Sequence, residues 1–513
     1  LLVSGGSLVA VHALGGIAKP YLSRAADRPS VTHGVQSGDV TTDSGIVWAR
    51  TDRPARMHVE IATSESFRDG RTASIVDALP ETDFTAKVLL EDLLAGHDIF
   101  YRIRFQDLSF PTIFGEPQVG CFRTAPSGRR TIRFAWSGDT AGQGWGIDES
   151  RGGMRTYATM HKNRPDFFIH SGDAIYADCP IPARITLPDG QVWRNLITEE
   201  KSKVAETLAE FRGNYKYNLL DDNVRAFNAE VPLLAQWDDH EVTNDWWPDA
   251  TLPGSRGTKS ALLLAARGRR AFHDFMPTRA TAAESGRIYR KVSYGPSLDL
   301  FLLDMRSYRG PNASADANEL AAANHLLGPA QIDWLKRSLT HSTAVWKVIA
   351  ADLPIGLVSD DAVALGDGPP HGRELEIADV LRFIKRAGIR NTVWLTADMH
   401  YTAAHRYDPN RAVFQDFDPF WEFVSGPLHA GSWGPAELDN TFGPTVVFQK
   451  GCTETQGENL APCFGLQFFG QVTIDGITNV MTVALKDVDG RQLWSVDLEP
   501  METSGAKVQA GQI

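Results

Sequence analysis

The sequence lacks the features that mark several large enzyme and binding classes. Cysteine is scarce, with four in 513 residues. The four, Cys121, Cys179, Cys452 and Cys463, include no Cys-x-x-Cys pair, which excludes the usual structural zinc frameworks. Cys452 and Cys463 flank a loop-like segment and form either a disulfide, if the protein is exported, or two separate thiols. There is no Gly-x-Ser-x-Gly elbow, no Walker loop and no dinucleotide fingerprint, so nothing marks a serine hydrolase, a P-loop enzyme or a nicotinamide enzyme. A basic excess is missing too. Against 51 Lys and Arg stand 63 Asp and Glu, a net charge of -12, which is a poor footprint for nucleic-acid binding. An acidic balance remains compatible with a phosphate substrate where metal ions supply local positive charge. Beyond the N-terminus no run is long and apolar enough to span a membrane. Residues 1–18 are apolar and small, but Gly5, Gly6, Gly15 and Gly16 suit a helix core poorly. Residues 1–30 therefore read as the remnant of an export signal and a linker, the alternative being a buried N-terminal helix.

What is present is an ordinary globular composition, 42% hydrophobic, over a length that implies a large core and more than one domain. From about Val31 to Thr124 short β-rich runs recur between turn residues. They include Ser44–Arg50, Met57–Ala62, Thr85–Leu89 and Asp98–Phe105, and they predict a small β-sandwich over 31–125. Ala125-Pro126-Ser127-Gly128 reads as a linker. After Arg130 strand candidates alternate with helical periods at Gly152–Asn163, Ala205–Tyr215, Lys259–Phe275, Pro329–Leu339 and Glu374–Ala387. That alternation predicts a layered α/β (α+β) domain over 130–500, with antiparallel strands added by the tail, Phe468–Leu498.

Four apolar runs stop abruptly at residue types that bind metal ions. Pro165–Ile169 ends in Gly172-Asp173 with Tyr176 just beyond. Arg133–Trp136 ends in Gly138-Asp139. Val231–Trp237 ends in Asp238-Asp239-His240-Glu241, followed by Asn244. Thr392–Leu395 ends in Asp398 and His400. A carboxylate at the C-terminal edge of a sheet is where open α/β folds place ligands, and four such endings point to strand ends meeting around metal ions. Asp173 is placed to bridge two ions. Tyr176 is either a phenolate ligand, which favours ferric iron, or a packed ring. The Asp238–Glu241 run is either a buried metal site beside Trp237 or a solvated turn. Arg306 and Arg309 either grip phosphate oxygens two-pronged or sit in ion pairs. His405 and His429 are weaker candidates of the same kind.

These motifs resemble those of the PhoD-like alkaline phosphatases and phosphodiesterases of the metallophosphatase superfamily, over most of the chain. Thr32–Asp39 with Ile46–Arg50 is similar to the start of that family's N-terminal β-sandwich. Gly172–Tyr176, Trp237–Glu241, Leu303–Arg309 and Ala397–His400 match its later motifs in order. The resemblance implies a core of two sheets between helices, export to the periplasm or beyond, and hydrolysis of phosphate esters by a metal-activated water. It implies an iron–calcium centre (Fe(3+) and Ca(2+)), with Mn(2+) or another divalent ion as alternatives. Asp173, Tyr176, Asp398 and His400 match metal-site residues, and Asp239 and His240 match the superfamily's ligand-plus-histidine motif. The family often has a cysteine ligand after the first core strand. Here Asp139 is expected in its place, which makes the site harder. His240 and Arg306 are the expected catalytic and substrate-binding groups, Asn244 a further metal ligand, and the enzyme a monomer. A phosphodiesterase or phospholipase D-like activity, or a non-catalytic secreted binding protein, are the competing readings.

Overall fold

The structure is a computed structural model and describes residues 28–254, 257–281, 284–312, 324–359 and 361–501. The apolar residues 1–18 therefore lie outside the described residues. The described chain opens with seven strands: β1 (Val31–Gly38), β2 (Gly45–Thr51), β3 (Ala55–Ala62), β4 (Arg71–Ala78), β5 (Thr85–Leu90), β6 (Asp98–Asp107) and β7 (Gln118–Arg123). Alternate residues of β3 and β6 are buried, as expected of strands with one face on a core. Met57, Val59, Ile103 and Phe105 of these strands pack against Val47, Val88 and Leu90. The sheet β4-β3-β6-β7 thus faces β1, β2 and β5.

The strands that follow are β8 (Ile132–Ser137), β9 (Phe167–Ser171), β10 (Arg184–Thr186), β11 (Val192–Arg194), β12 (Leu233–Gln236), β13 (Arg290–Ser293), β14 (Leu298–Leu302) and β15 (Trp346–Ala350). After them come β16 (Thr392–Thr396), β17 (Thr402–Tyr407), β18 (Phe420–Val424), β19 (Pro444–Lys450), β20 (Phe468–Ile474), β21 (Met481–Asp487) and β22 (Gln492–Leu498). The helices between them are α1 (Arg155–Lys162), α2 (Leu208–Asn218), α3 (Asp222–Glu230), α4 (Ala261–Phe275), α5 (Pro329–Thr340) and α6 (Glu374–Arg386). Side-chain caps start several of them. Thr207 and Glu210 form a reciprocal capping box on α2, and Asp221 caps α3.

Two large sheets result. One runs β22-β21-β20-β8-β9-β12-β1-β2-β5, the other β13-β14-β15-β16-β18-β17-β19. Their centres are parallel: β8, β9 and β12 in the first, β14, β15, β16 and β18 in the second. Strands β9 and β15 are buried along their whole length, as parallel strands covered on both faces are. Alternation sorts the side chains. Phe134, Trp136, Ile169 and Leu234 meet Leu300, Val348, Leu395 and Phe423 between the sheets. Ala135, Phe168 and Ala235 face outward onto Phe211, Phe227 and Phe272 of α2–α4. Phe301, Ile349 and Trp394 face Leu335 of α5 and Leu381 of α6. The order of layers is therefore helices, sheet, sheet, helices.

Two features go beyond what the sequence pattern announces. The N-terminal sandwich is joined to the core sheet, because β1 pairs with β12 at Gly38 and Leu233 and the buried Asp39 meets Arg290 at 2.7 Å. The four cysteines are free, which matches the second of the two readings left open for Cys452 and Cys463, separate thiols. Cys452 donates to the carbonyl of Ser432 at 3.1 Å, while Cys463 packs beside Trp145 and Leu187 in a different cluster. Among the described residues no helix is long and apolar enough to cross a membrane.

Candidate metal centre

Six parallel strands of the two sheets end at one place, and each delivers polar residues directly after its last apolar one. Asp139 follows β8, Asp173 follows β9, Asp238 to Glu241 follow β12, Asp304 and Arg306 follow β14, Asp352 follows β15, and Asp398 and His400 follow β16. The chain must turn sharply there. Asp139, Asp173, Asp398 and His400 adopt left-handed backbone, with φ of 69°, 52°, 63° and 57°. Residues other than glycine enter that region at a cost of roughly 1 kcal/mol or more, and they cluster at functional sites. Gly172 makes the close approach possible. At φ 106° it lies where a Cβ would sit 2.5 Å from the Cβ of Asp238.

The turns bring together overlapping groups of donor atoms. Ligand atoms of Asp139, Asp173 and His400 lie within 4.8 Å of one another, as do those of Asp173, Asp239 and His240, and of Asp238, Asp239 and Asp398. Asp173 thus belongs to two of these groups, one with Asp139 and His400 and one with Asp239 and His240. The Tyr176 hydroxyl is 3.0 Å from His400 Nε2 and 3.4 Å from Asp139 Oδ1. A further group joins Asp239 to Asp245 and Asp361. Most of these carboxylates are buried, and one oxygen each of Asp139, Asp173 and Asp239 and both of Asp352 have no hydrogen-bond partner. Unpaired buried anions are costly. Burial and then mutual repulsion push the carboxyls of Asp139, Asp352 and Asp398 well above the usual range. An array of orphaned carboxylate oxygens around shared points is what cations resolve, so these residues fit metal ions.

The two histidines are prepared differently. His400 donates from Nδ1 to the carbonyl of Gly431 at 2.5 Å. That bond leaves the Nε2 lone pair facing Asp139, 3.5 Å away. Burial pushes its pKa down to about 3, so the ring is a neutral donor, suited to a metal ion. His240 is tied by Nδ1 to Asp178 Oδ1 at 2.6 Å, and its ring packs on Tyr176 with centroids 4.2 Å apart. Burial opposes its charge, but Asp178, Asp239 and Asp173 outweigh burial and hold the ring protonated well above the usual histidine range. Asp178 is itself fixed by the backbone N–H of Asn244 at 2.7 Å. Glu241 accepts from the N–H groups of Asp173, Ala174 and Asp238 at 3.1, 2.7 and 2.8 Å. It thereby staples the turn after β9 to the turn after β12.

Arg306 is not where a substrate contact requires it. Its side chain is fully buried, with Nε 2.5 Å from Asp238 and Nη2 2.5 Å from Asp361, and Asp239 and Asp352 lie within 3.9 Å. It is an internal counter-ion of the acidic cluster, because four carboxylates surround it before any substrate arrives. Arg309 is likewise buried and donates to the carbonyl of Asp361. Asn244 stands exposed at the rim, its amide donating to Asp245 at 2.7 Å. His405 of β17 is buried against Glu422 of β18, and His429 bonds the carbonyl of Gly146. Sequence reasoning missed Asp178, Asp245, Asp352 and Asp361. Asp352 carried the same signal as the others, a carboxylate ending an apolar run. Asp178, Asp245 and Asp361 lie in turns and loops with no such signature.

Known proteins share this arrangement of strands. The family model described as PhoD-like phosphatase matches residues 134–485, and that of the PhoD-like phosphatase N-terminal domain matches residues 16–126. Alkaline phosphatase D of Bacillus subtilis (strain 168) is 27% identical over 397 residues, which cover 72% of this chain and 64% of that protein. The match thus spans less than two thirds of that relative's length. The structure of PhoD covers 92% of this chain and 93% of its own at 21% identity, with a TM-score of 0.67. A purple acid phosphatase from yellow lupin (Lupinus luteus) seeds covers 92% and 74% at 12% identity, with a TM-score of 0.56. Both likenesses are of fold. With the family model spanning the strands that build the acidic cluster, the chain belongs to the PhoD-like phosphatase family.

Proposed function

We propose that the protein is a metal-dependent phosphoric ester hydrolase of the alkaline phosphatase D type, acting outside the cytoplasm. The observation that carries this reading is the set of buried, unpartnered carboxylate oxygens of Asp139, Asp173 and Asp239 at neighbouring strand ends of one sheet, met by Asp398 and His400 from the other. Asp139, Asp173, Tyr176 and His400 would hold one ion and Asp238, Asp239 and Asp398 a second, the two groups being linked by Asp173, whose ligand atoms also lie within 4.8 Å of those of Asp239. The first set, with a phenol and an imidazole, suits ferric iron. The second, of carboxylates alone, suits calcium, with manganese acceptable to both. Such ions supply Lewis acidity, neutralising phosphate charge and lowering the pKa of an attacking water.

The chain's own residues do the rest. Asp178 accepts from Nδ1 of His240, which leaves Nε2 to hold a proton for the departing alkoxide. Glu241 keeps the two turns in register. Arg306 balances the negative charge from beneath and leaves substrate binding to the ions and to His240. The proposed division of labour is a β-sandwich over 31–125 and a catalytic domain over 130–500. Export rests on the apolar residues 1–18.

A metal-quantified activity panel tests the reading. The expected result is hydrolysis of p-nitrophenyl phosphate that disappears on chelation and returns with metal. Preference for bis(p-nitrophenyl) phosphate or for a phospholipid would move the assignment to a diesterase. Failure of all three with metals bound would overturn it.

A further inference from the structure

The strand-end carboxylates do not use every metal-binding side chain near the centre. One thiol, Cys179, lies beside His240 and Asp178. Its Sγ, a carboxylate oxygen of Asp178 and a ring nitrogen of His240 lie within 4.8 Å of one another. The nitrogen facing Asp178 is Nδ1. In a strand, neighbouring side chains point to opposite faces, but Ala177 to Cys179 form a turn and bend, so Asp178 and Cys179 can face one point. Asp178 and His240 are nearly enclosed while Cys179 is half-buried, which gives the group an entrance from solvent.

We propose that Asp178, Cys179 and His240 form a separate binding site for a thiophilic divalent cation, with zinc as the type, at the mouth of the centre. The donor chemistry separates this group from its neighbours. The strand-end groups offer oxygen and imidazole, which suit hard or borderline ions. Thiolate with imidazole and one carboxylate selects zinc or a similarly soft ion. Zinc takes such ligands at about 2.0–2.3 Å in a tetrahedron, and three protein ligands leave the fourth position to water. Ligand atoms in that geometry are roughly 3.5 Å apart, so His240 Nδ1 and Asp178 Oδ1, now 2.6 Å apart, open by about an ångström to admit the ion while the Cys179 thiol adjusts by side-chain rotation. Zinc displaces the proton on Nδ1 and the thiol proton, both released to solvent. The occupied site then denies His240 its bond to Asp178, so the ion is an inhibitor. That last consequence rests on the phosphoesterase reading, whereas the binding does not.

The test uses the full chain loaded with its own metals and kept reduced with a phosphine. Cobalt(II) is added as a spectroscopic stand-in, followed by zinc titrations against a chromogenic chelator. Wild type should show a thiolate-to-cobalt charge-transfer band in the near ultraviolet at one equivalent. Cys179→Ser should lose that band and bind zinc roughly tenfold or more weakly. Its basal turnover should be unchanged, and inhibition should require correspondingly more zinc. No band in wild type, a band that survives in Cys179→Ser, or equal zinc affinity in the two proteins would overturn the proposal. A protein that shows the band but cleaves no phosphate ester keeps this site and sinks the phosphoesterase reading. One that cleaves esters without the band does the reverse.

Discussion

Asp139 and His400 belong to different sheets, one after β8 and the other after β16, yet Oδ1 of the first lies 3.5 Å from Nε2 of the second. The sheets close on each other at this point through these two side chains, which the proposed function gives to one ion. Asp139→Ala should therefore lose about one equivalent of metal, read by elemental analysis. Asp139→Cys should restore it with a larger share of iron than manganese, because a thiolate favours the softer ion. Unchanged stoichiometry in the alanine variant would remove Asp139 from the centre.

Asp173 has one oxygen bonded to the N–H of His240 at 3.2 Å and the other without a partner. Asp173→Asn keeps the shape and removes the charge. Metal content and turnover should fall together while circular dichroism stays that of wild type. With metals stripped, the variant should melt no lower than stripped wild type, because a buried repulsion has gone.

The buried setting of Arg306 changes what its replacement should do. Arg306→Gln leaves Asp238 and Asp361 without their cation, and breaking a buried pair in this way costs about 3–5 kcal/mol. Chemical denaturation should show that loss. Arg306→Lys should recover part of it, since an ammonium cannot reach both carboxylates with a planar fork. The Michaelis constant of Arg306→Lys, measured on fully metal-loaded protein, should stay near that of wild type. A large rise would return Arg306 to the substrate.

Stripped and loaded protein should respond to pH in opposite ways. Burial, more than the repulsion beside it, raises Glu241 to about 8 and Asp245 to about 7, and Asp398 moves in the same direction. Unfolded carboxyls titrate near 4. Between those limits the folded chain holds more protons than the unfolded one, so its stability falls as pH rises from about 4 to about 8. Metal-free protein should thus melt several degrees higher at pH 5.5 than at pH 8. Metal ions compete with those protons, so reloading should raise the melting temperature most at pH 8. A stripped protein that is most stable at pH 8 would contradict the crowding of charge described above.

Asp178 is a positioning residue for His240, and its test is the leaving group. A p-nitrophenolate departs without a proton, whereas a simple alkoxide needs one. Asp178→Asn should slow glycerol phosphate hydrolysis at least tenfold more than p-nitrophenyl phosphate hydrolysis. Equal losses on both substrates would reduce Asp178 to a structural role.

Much of this centre is legible in the sequence, for a reason that lies in parallel sheets. A buried strand must read as an apolar run, so the carboxylate that ends it stands out, and Asp139, Asp173, Asp239 and Asp398 all did. The layered helices and strands were visible for the same reason, since α4 to α6 carry a clear apolar stripe. What was hidden depends on partners far apart in sequence. Arg306 reads as a phosphate-gripping arginine until Asp238 and Asp361 are seen around it. The pairing of β1 with β12 rests on a single register point, Gly38 with Leu233, which no local pattern announces. The short helix α3, with Asp221 as its cap, is not announced by the sequence: its nine residues span about two and a half turns and run directly on from α2 after three residues.

The left-handed corners at Asp139, Asp173, Asp398 and His400 bear on how this chain would drift if stability alone were selected. Glycine adopts that backbone freely, and each of these four side chains adds strain. At Asp139 and Asp173 a buried carboxylate adds repulsion as well, and at Asp398 a half-buried one. Removing the ligands would make the empty fold easier to form, and the gentlest way to delete one is glycine rather than alanine. A lineage released from its chemistry should therefore lose these side chains early, while its sheets persist. A relative with glycines at these corners would be a well-folded protein that has given up its metal ions.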